Sequence, residues 1–297
     1  MTELPAGVRA MAARDPEWLR WVDDLMGITH SHLEQWGLRP EGAAIHGSRS
    51  LVLPVRTSDG LPTVLKISFP DPESEHEHLV LRRWDGHGAV RLLRADPHHR
   101  VVLLERLRRP TLDTLPDVDA CVVVAGMYRR IHVPALPQLR SLTSHVERWT
   151  RDFEALPRGA PIPHRLVEQA IALSRDLIAD SAATGSVLHG DLHYGSVLAA
   201  DREPWLSIAP RPMNGDPHYE LAPMLWHRWD EFTGHIRDGV RTRLYTLVDN
   251  AGLDHDRARA WVFVRVVHEA TLALSGGPHT DSTRLTKYVA LAEAVQD

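Results

Sequence analysis

The chain has 297 residues, 43% of them apolar and 25% charged, enough for two modest domains or lobes with buried cores. A net charge of −5 excludes a protein built mainly to hold nucleic-acid backbone, and the single cysteine, Cys121, excludes a disulfide framework or a thiolate zinc cage. Only Lys66 and Lys287 are lysines among 34 basic residues, so each needs its own explanation in a chain that otherwise writes arginine.

Asp15-Pro16-Glu17 opens a helix with a capping acid and a first-turn proline. Trp18, Val22, Leu25, Met26, Leu33 and Trp36 form its apolar face, and Gly37 ends it. The preceding residues lack the apolar core of a secretory signal. Strands follow at 50–57 and 62–68, and Lys66 falls mid-strand. A helix is expected over about 73–84, then a hairpin of 90–95 and 100–107 turned at Asp96-Pro97-His98-His99. Helical periodicity then takes over at 119–132, 143–156, 165–184, 222–229, 239–251, 256–274 and 282–295. The longest apolar stretch, about 121–127, is too short to span a bilayer. The expectation is a cytoplasmic α+β protein, with a strand-rich first lobe (1–107) and a helical second lobe (108–297), needing neither membrane nor nucleic acid.

The densest polar cluster is Val187-Leu188-His189-Gly190-Asp191-Leu192-His193-Tyr194-Gly195-Ser196-Val197-Leu198, flanked by apolar pairs. The segment Trp205-Leu206-Ser207-Ile208-Ala209-Pro210-Arg211-Pro212 is expected to fold back as a hairpin, bringing residues near 191–196 beside 209. Gly215-Asp216-Pro217-His218-Tyr219-Glu220-Leu221 then leads into a helix. With Lys66 on its strand, this combination resembles the aminoglycoside and hydroxyurea phosphotransferase family, in its streptomycin 6-kinase-like branch.

The resemblance implies a two-lobed, protein-kinase-like fold and assigns roles residue by residue. Lys66 matches the strand lysine that contacts the α- and β-phosphates of ATP, with Glu77 as its helix partner and Glu73 as the alternative. Residues 45–49, including Ser48, occupy the phosphate-covering loop, and residues 104–107, including Glu105 and Leu107, the adenine-receiving hinge. Asp191 matches the aspartate that accepts the proton of the substrate hydroxyl, and His193, Asp216 and Trp226 fall on the substrate side.

Two positions depart from the family pattern. Ser196 stands where the family has a metal-binding asparagine, and Ala209 where it has a metal-binding aspartate; Arg211 replaces the nearby lysine. The resemblance therefore implies ATP as a candidate cofactor and removes the usual Mg²⁺ ligands. Three readings stay open: a pseudokinase or repurposed enzyme with Asp191 as acid/base, an active kinase with unusual metal coordination, and a metal enzyme using His189, Asp191 and His193, which alternate along the chain. The expected ligand is a small natural product or antibiotic-like molecule, since residues 216–297 carry only a mild acidic excess. Lys287 and the pair His98/His99 read as solvated.

Overall fold

A capped helix and a central strand organise the first part of the computed structural model, which describes residues 4–274 and 282–296. Helix α1 (Ala6–Met11) precedes α2 (Pro16–Gln35), whose first turn is closed by Asp15 Oδ1 accepting the N–H groups of Glu17 (2.8 Å) and Trp18 (3.1 Å). The sheet is built from β1 (Arg39–Pro40), β2 (Ile45–His46), β3 (Ser50–Arg56), β4 (Pro62–Ser68), β5 (Leu92–Asp96) and β6 (Val101–Glu105), in the order β1-β3-β4-β6-β5 with β2 also on β3. Helix α3 (Glu77–Trp84) lies between β4 and β5 in the chain. It starts later than the expected 73, because Asp71 Oδ1 captures the Ser74 N–H (2.8 Å) and closes a separate turn first.

Strand β4 is interior: Lys66 sits opposite Val52 of β3 and Val102 of β6. Leu65 and Ile67 point to the opposite face and are buried in a core with Leu51, Leu53, Val55 and the α2 side chains Trp18, Trp21, Val22 and Leu25. Phe69 stacks on Trp18 with ring centroids 3.8 Å apart, a contact worth about 1 kcal/mol beyond its buried area. Trp21 and His32 complete the buried face of α2 beyond the expected residues.

The chain divides into two units, residues 1–109 with 200–208 and residues 110–199 with 209–297. After β7 (Arg108–Thr111), the second unit holds α4 (Asp117–Ile131), α5 (Leu142–Glu154), α6 (His164–Ala179), β8 (Ser186–Leu188) and β9 (Val197–Ala199). Strand β10 (Trp205–Ser207) belongs to the first unit; β11 (Met213–Gly215), α7 (Ala222–Trp226), α8 (Ile236–Ala251), α9 (His255–Leu274) and α10 (Ser282–Ala294) return to the second. Strands β8 and β11 pair antiparallel, with Leu188 opposite Met213 and Ser186 opposite Gly215. Helix α7 stops at Trp226 rather than continuing to 229, because Arg228 takes a left-handed conformation (φ 53°). No described helix is long and apolar enough to cross a membrane.

Helix α9 is buried around much of its circumference, as a core helix should be. Its His268 stacks on Trp149 at 4.0 Å, and its Nδ1 is buried without a hydrogen-bond partner. Burial, helped by the charges of Arg265 and Arg148, pushes this imidazole down to about 3. A base whose folded pKa is depressed stabilises the fold fully above its unfolded value, and that contribution is lost as pH falls toward the folded value. His268 should therefore cost about 2 kcal/mol between pH 6.5 and 5. His268→Phe, which keeps the stack, is expected to flatten this part of the acid limb when urea unfolding is measured at both pH values.

Candidate active site

In the first unit, Lys66 Nζ lies 2.6 and 2.8 Å from the two carboxylate oxygens of Glu77, and these side chains are only 12% and 5% exposed. An interior strand and the first turn of α3 hold the pair, so its position does not depend on a loop. Glu73, the alternative partner, accepts from Arg49 instead (3.2 Å), beside the Arg49–Asp71 ion pair (3.0 Å). Ser48 is exposed in the tight bend between β2 and β3, closed by Gly47 N–H donating to Ser50 O at 2.8 Å. Glu105 ends β6 with its carboxylate accepting from Arg202 (2.7 Å) and from the Arg91 N–H (2.7 Å); Leu107 is half-buried two residues later.

In the second unit, the loop after β8 is clamped from several sides. The Glu220 carboxylate is fully buried and accepts the N–H groups of His189 (3.2 Å) and Gly190 (2.7 Å). Burial alone would raise its pKa, but His132 and these neighbours hold it below the usual range. Arg265, from α9, donates to Gly190 O (2.6 Å) and Tyr219 O (3.0 Å) while lying over the Tyr219 ring. Gly190 itself is irreplaceable on geometry: its φ is +83°, and a Cβ there would sit 2.2 Å from Arg211 O. The backbone of residues 189–190 therefore runs beside 211, where Arg211 N–H donates to His189 O at 2.7 Å.

Asp191 emerges from this clamp with its side chain 21% exposed and Oδ2 3.2 Å from Arg211 Nη2. Burial works to raise its pKa, and Arg211, then His193, outweigh it and hold the carboxyl below the usual range. His193 caps the following turn by accepting the Gly195 N–H at its Nδ1 (3.1 Å), and its ring stacks flat on His227, 3.8 Å away. Burial lowers both imidazoles, His227 to about 4, so the stacked pair is neutral near pH 7. His189 turns its Nδ1 to the Asp191 N–H (3.3 Å). Both histidines turn Nδ1 to the loop's own backbone, and the ligand atoms of His189, Asp191 and His193 do not gather within 4.8 Å of one another as a metal triad would require.

Ser196 and Ala209, at the positions where the resemblance implies metal ligands, have different structural characters. Ser196 is 6% exposed, and its hydroxyl accepts the His193 N–H (2.8 Å) while facing Asp191 O (3.1 Å) and His193 O (3.0 Å). It is occupied in closing the loop. Ala209 is exposed and left-handed, with φ of 54°. It offers no ligand atom and adopts a backbone that costs an alanine roughly 1 kcal/mol. Ala209→Gly is expected to stabilise the protein by about 0.5–1 kcal/mol in urea unfolding. The residues present at these two positions do not fit a magnesium ion, which requires oxygen ligands in near-octahedral array.

Asp216, expected on the substrate side, is turned inward: 1% exposed, it accepts from Trp261 Nε1 (2.8 Å), the His218 N–H (3.0 Å), the His218 ring and Arg257 Nε. Its oxygens are committed to holding α9 and the turn before α7. Trp226 is 8% exposed and meets Tyr288 edge-on at 5.8 Å. It nevertheless borders a groove of about 740 Å³ lined also by His227, Arg228, Trp229, Arg284 and Lys287. Lys287 is thus half-buried on a groove wall rather than on a fully solvated helix face. Its ammonium lies 5.7 Å from the Trp229 ring and 5.8 Å from Tyr288, and burial lowers its pKa. The groove shares His227 with the His193 stack.

Glu220, Arg265 and Arg243 are the residues the sequence reading missed. Arg243 is fully buried on α8 and donates to Asp117 Oδ2 (2.6 Å), His227 O (2.6 Å), Met224 O (3.2 Å) and Arg228 O (3.2 Å). Glu220 lay within a motif already singled out; nothing local marked the arginines.

A family described as aminoglycoside/hydroxyurea antibiotic resistance kinase matches residues 35–277. The chain is 38% identical over 290 residues to a streptomycin 6-kinase of Streptomyces glaucescens, covering 93% of this chain and 92% of that one. It is 39% identical over 271 residues to a hydroxyurea phosphotransferase of Kitasatospora aureofaciens, covering 86% and 75%. Among solved structures, choline kinase LicA from Streptococcus pneumoniae aligns with a TM-score of 0.60 at 14% identity, over 91% of this chain and 97% of that one. The GDP and kanamycin complex of APH(2″)-IIia aligns with a TM-score of 0.56 at 14% identity, over 91% and 98%. The fold is thus the α+β, protein-kinase-like one.

Proposed function

The chain belongs to the aminoglycoside/hydroxyurea antibiotic resistance kinase family, and on that premise we propose that it is a degenerate member, a pseudokinase or repurposed enzyme that binds a small natural product and does not carry out ordinary Mg²⁺-dependent phosphoryl transfer. One observation carries the reading: the Ser196 hydroxyl is consumed by the loop backbone and Ala209 has no ligand atom. Losing both metal ligands removes charge stabilisation worth several kcal/mol, on the order of a thousandfold in rate. Asp191 stays ionised beside Arg211 and is the group left to bind or deprotonate a hydroxyl.

The ligand class follows from the groove. Its charged walls are Arg228, Arg284 and Lys287 against Asp230, with two indoles between them. Such a surface suits a neutral or anionic hydroxylated molecule with a planar or apolar body, and it repels a polycationic aminoglycoside.

A second reading, an active antibiotic O-phosphotransferase with unusual metal coordination, is favoured by the Lys66–Glu77 pair, an arrangement that working kinases require. Calorimetry of ATP binding with and without Mg²⁺, alongside phosphate release with hydroxylated antibiotics including streptomycin and hydroxyurea, separates the two. Binding indifferent to Mg²⁺ without turnover is expected. Mg²⁺-enhanced binding with turnover would sink the degenerate reading. Lys66→Ala should weaken whatever nucleotide affinity exists by about 10–100-fold, the worth of one charge-assisted contact.

A further inference from the structure

We propose that His32, Asp96 and His99, in the first unit, form a zinc-type transition-metal site that ties α2 to the turn between β5 and β6. The argument rests on hydrogen positions. His32 is 2% exposed, and its Nδ1 lies 2.8 Å from Ile28 O, a carbonyl that can only accept. Nδ1 therefore carries a hydrogen, and in the neutral imidazole Nε2 is left with a bare lone pair. That lone pair is aimed at Asp96 Oδ2 from 3.1 Å. Two acceptors face each other in a partly buried position, which is unfavourable unless a cation lies between them or the ring is doubly protonated.

His99 adds the third ligand. Its Nδ1 approaches the same Oδ2 at 2.7 Å, and the three ligand atoms lie within 4.8 Å of one another. Asp96 Oδ1 accepts the N–H groups of His98 (3.0 Å) and His99 (3.4 Å), which fixes the carboxylate and leaves Oδ2 directed at the two rings. Around tetrahedral zinc, ligand atoms lie about 3.3 Å apart, close to the 3.1 Å spacing of His32 and Asp96. A metal-bound histidine typically donates its other N–H to a backbone carbonyl, as His32 does to Ile28. Two imidazoles and one carboxylate suit Zn²⁺, and Co²⁺ as its probe, whereas Mg²⁺ and Ca²⁺ prefer oxygen ligands. The His99 side chain is 47% exposed, so the fourth position opens to water. Trp36, edge-on to His32 at 5.0 Å, and His98, edge-on to His99 at 4.7 Å, restrict the two rings.

The test uses the full chain stripped with a chelator. Titration with Zn²⁺, with Mg²⁺ as control, is expected to show one equivalent bound, and Co²⁺ to give the visible bands of a tetrahedral site. His99→Ala, at an exposed ring, should leave the fold intact and weaken Zn²⁺ by about 100-fold, at least as much as a lost supporting contact. Asp96→Asn should weaken it similarly. Zn²⁺ binding unchanged in both variants would place the metal elsewhere and overturn the proposal. So would absence of Zn²⁺ binding to the unmodified chain, since the three side chains would then be only a hydrogen-bonded network.

Discussion

Ser196→Asn combined with Ala209→Asp is expected to confer Mg²⁺-dependent nucleotide binding, and to raise any phosphoryl transfer by about a thousandfold. Each substitution alone should do little, because one ligand does not complete a magnesium site. The two positions differ in how readily they accept the change. At 209 the backbone is already left-handed (φ 54°), a conformation that aspartate tolerates better than alanine, so the new carboxylate enters with slight relief of strain. At 196 the incoming amide must still close the loop, and its oxygen can take over the His193 N–H that Ser196 now accepts (2.8 Å). Calorimetry of ATP binding across a Mg²⁺ series is the measurement. If the double variant remains indifferent to Mg²⁺, the site has diverged beyond these two ligands and Arg211 becomes the next residue to replace, since it already neutralises Asp191.

That experiment can be designed from the sequence because the motif residues are local. Lys66, Asp191, Ser196 and Ala209 each sit in a short stretch whose spacing fixes their register, and Asp15 caps its helix through residues two and three positions away. What stayed hidden is non-local. Strand β11 pairs with β8 from 25 residues away, as Leu188 and Met213 show, and no alternation marks three-residue strands. Arg265 reaches Gly190 from 75 residues further along the chain, and Arg243 reaches Asp117 from 126. An arginine on a helix reads as solvated surface, and only packing shows that its fork is collecting loop carbonyls. Lys287 was misread for the same reason: its helix period is unremarkable, and the two rings it faces include Trp229, 58 residues earlier. Asp216 erred in the other direction, since an acid in a functional motif proved to be a fully occupied structural cap.

Arg243→Met is expected to be severely destabilising, at about 3–5 kcal/mol. The side chain is 0% exposed, so its charge is compensated entirely by protein groups. The pair with Asp117 (2.6 Å) supplies the countercharge, and the carbonyls of Met224, His227 and Arg228 take its remaining N–H groups, with Glu231 Oε2 at 3.4 Å. Phe232 lies under the guanidinium at 3.9 Å. Methionine would fill most of the volume yet strip the carbonyls of Met224 and His227 and Oδ2 of Asp117 of this donor, which is where the cost arises, while Arg228 O keeps the Glu231 N–H (3.2 Å). Lysine keeps the charge but loses the planar fork, so Arg243→Lys should still cost about 2 kcal/mol. Because the three carbonyls belong to the segment that carries His227 and borders the groove, ligand affinity should fall along with stability. The decisive measurement is a double-mutant cycle in urea with Asp117→Asn. Asp117 also accepts from the Tyr194 hydroxyl, so Asp117→Asn alone is destabilising, and the double variant should lose at least about 1 kcal/mol less than the sum of the singles. Strict additivity would mean that the Arg243–Asp117 contact contributes nothing, and that the backbone carbonyls alone hold this arginine in place.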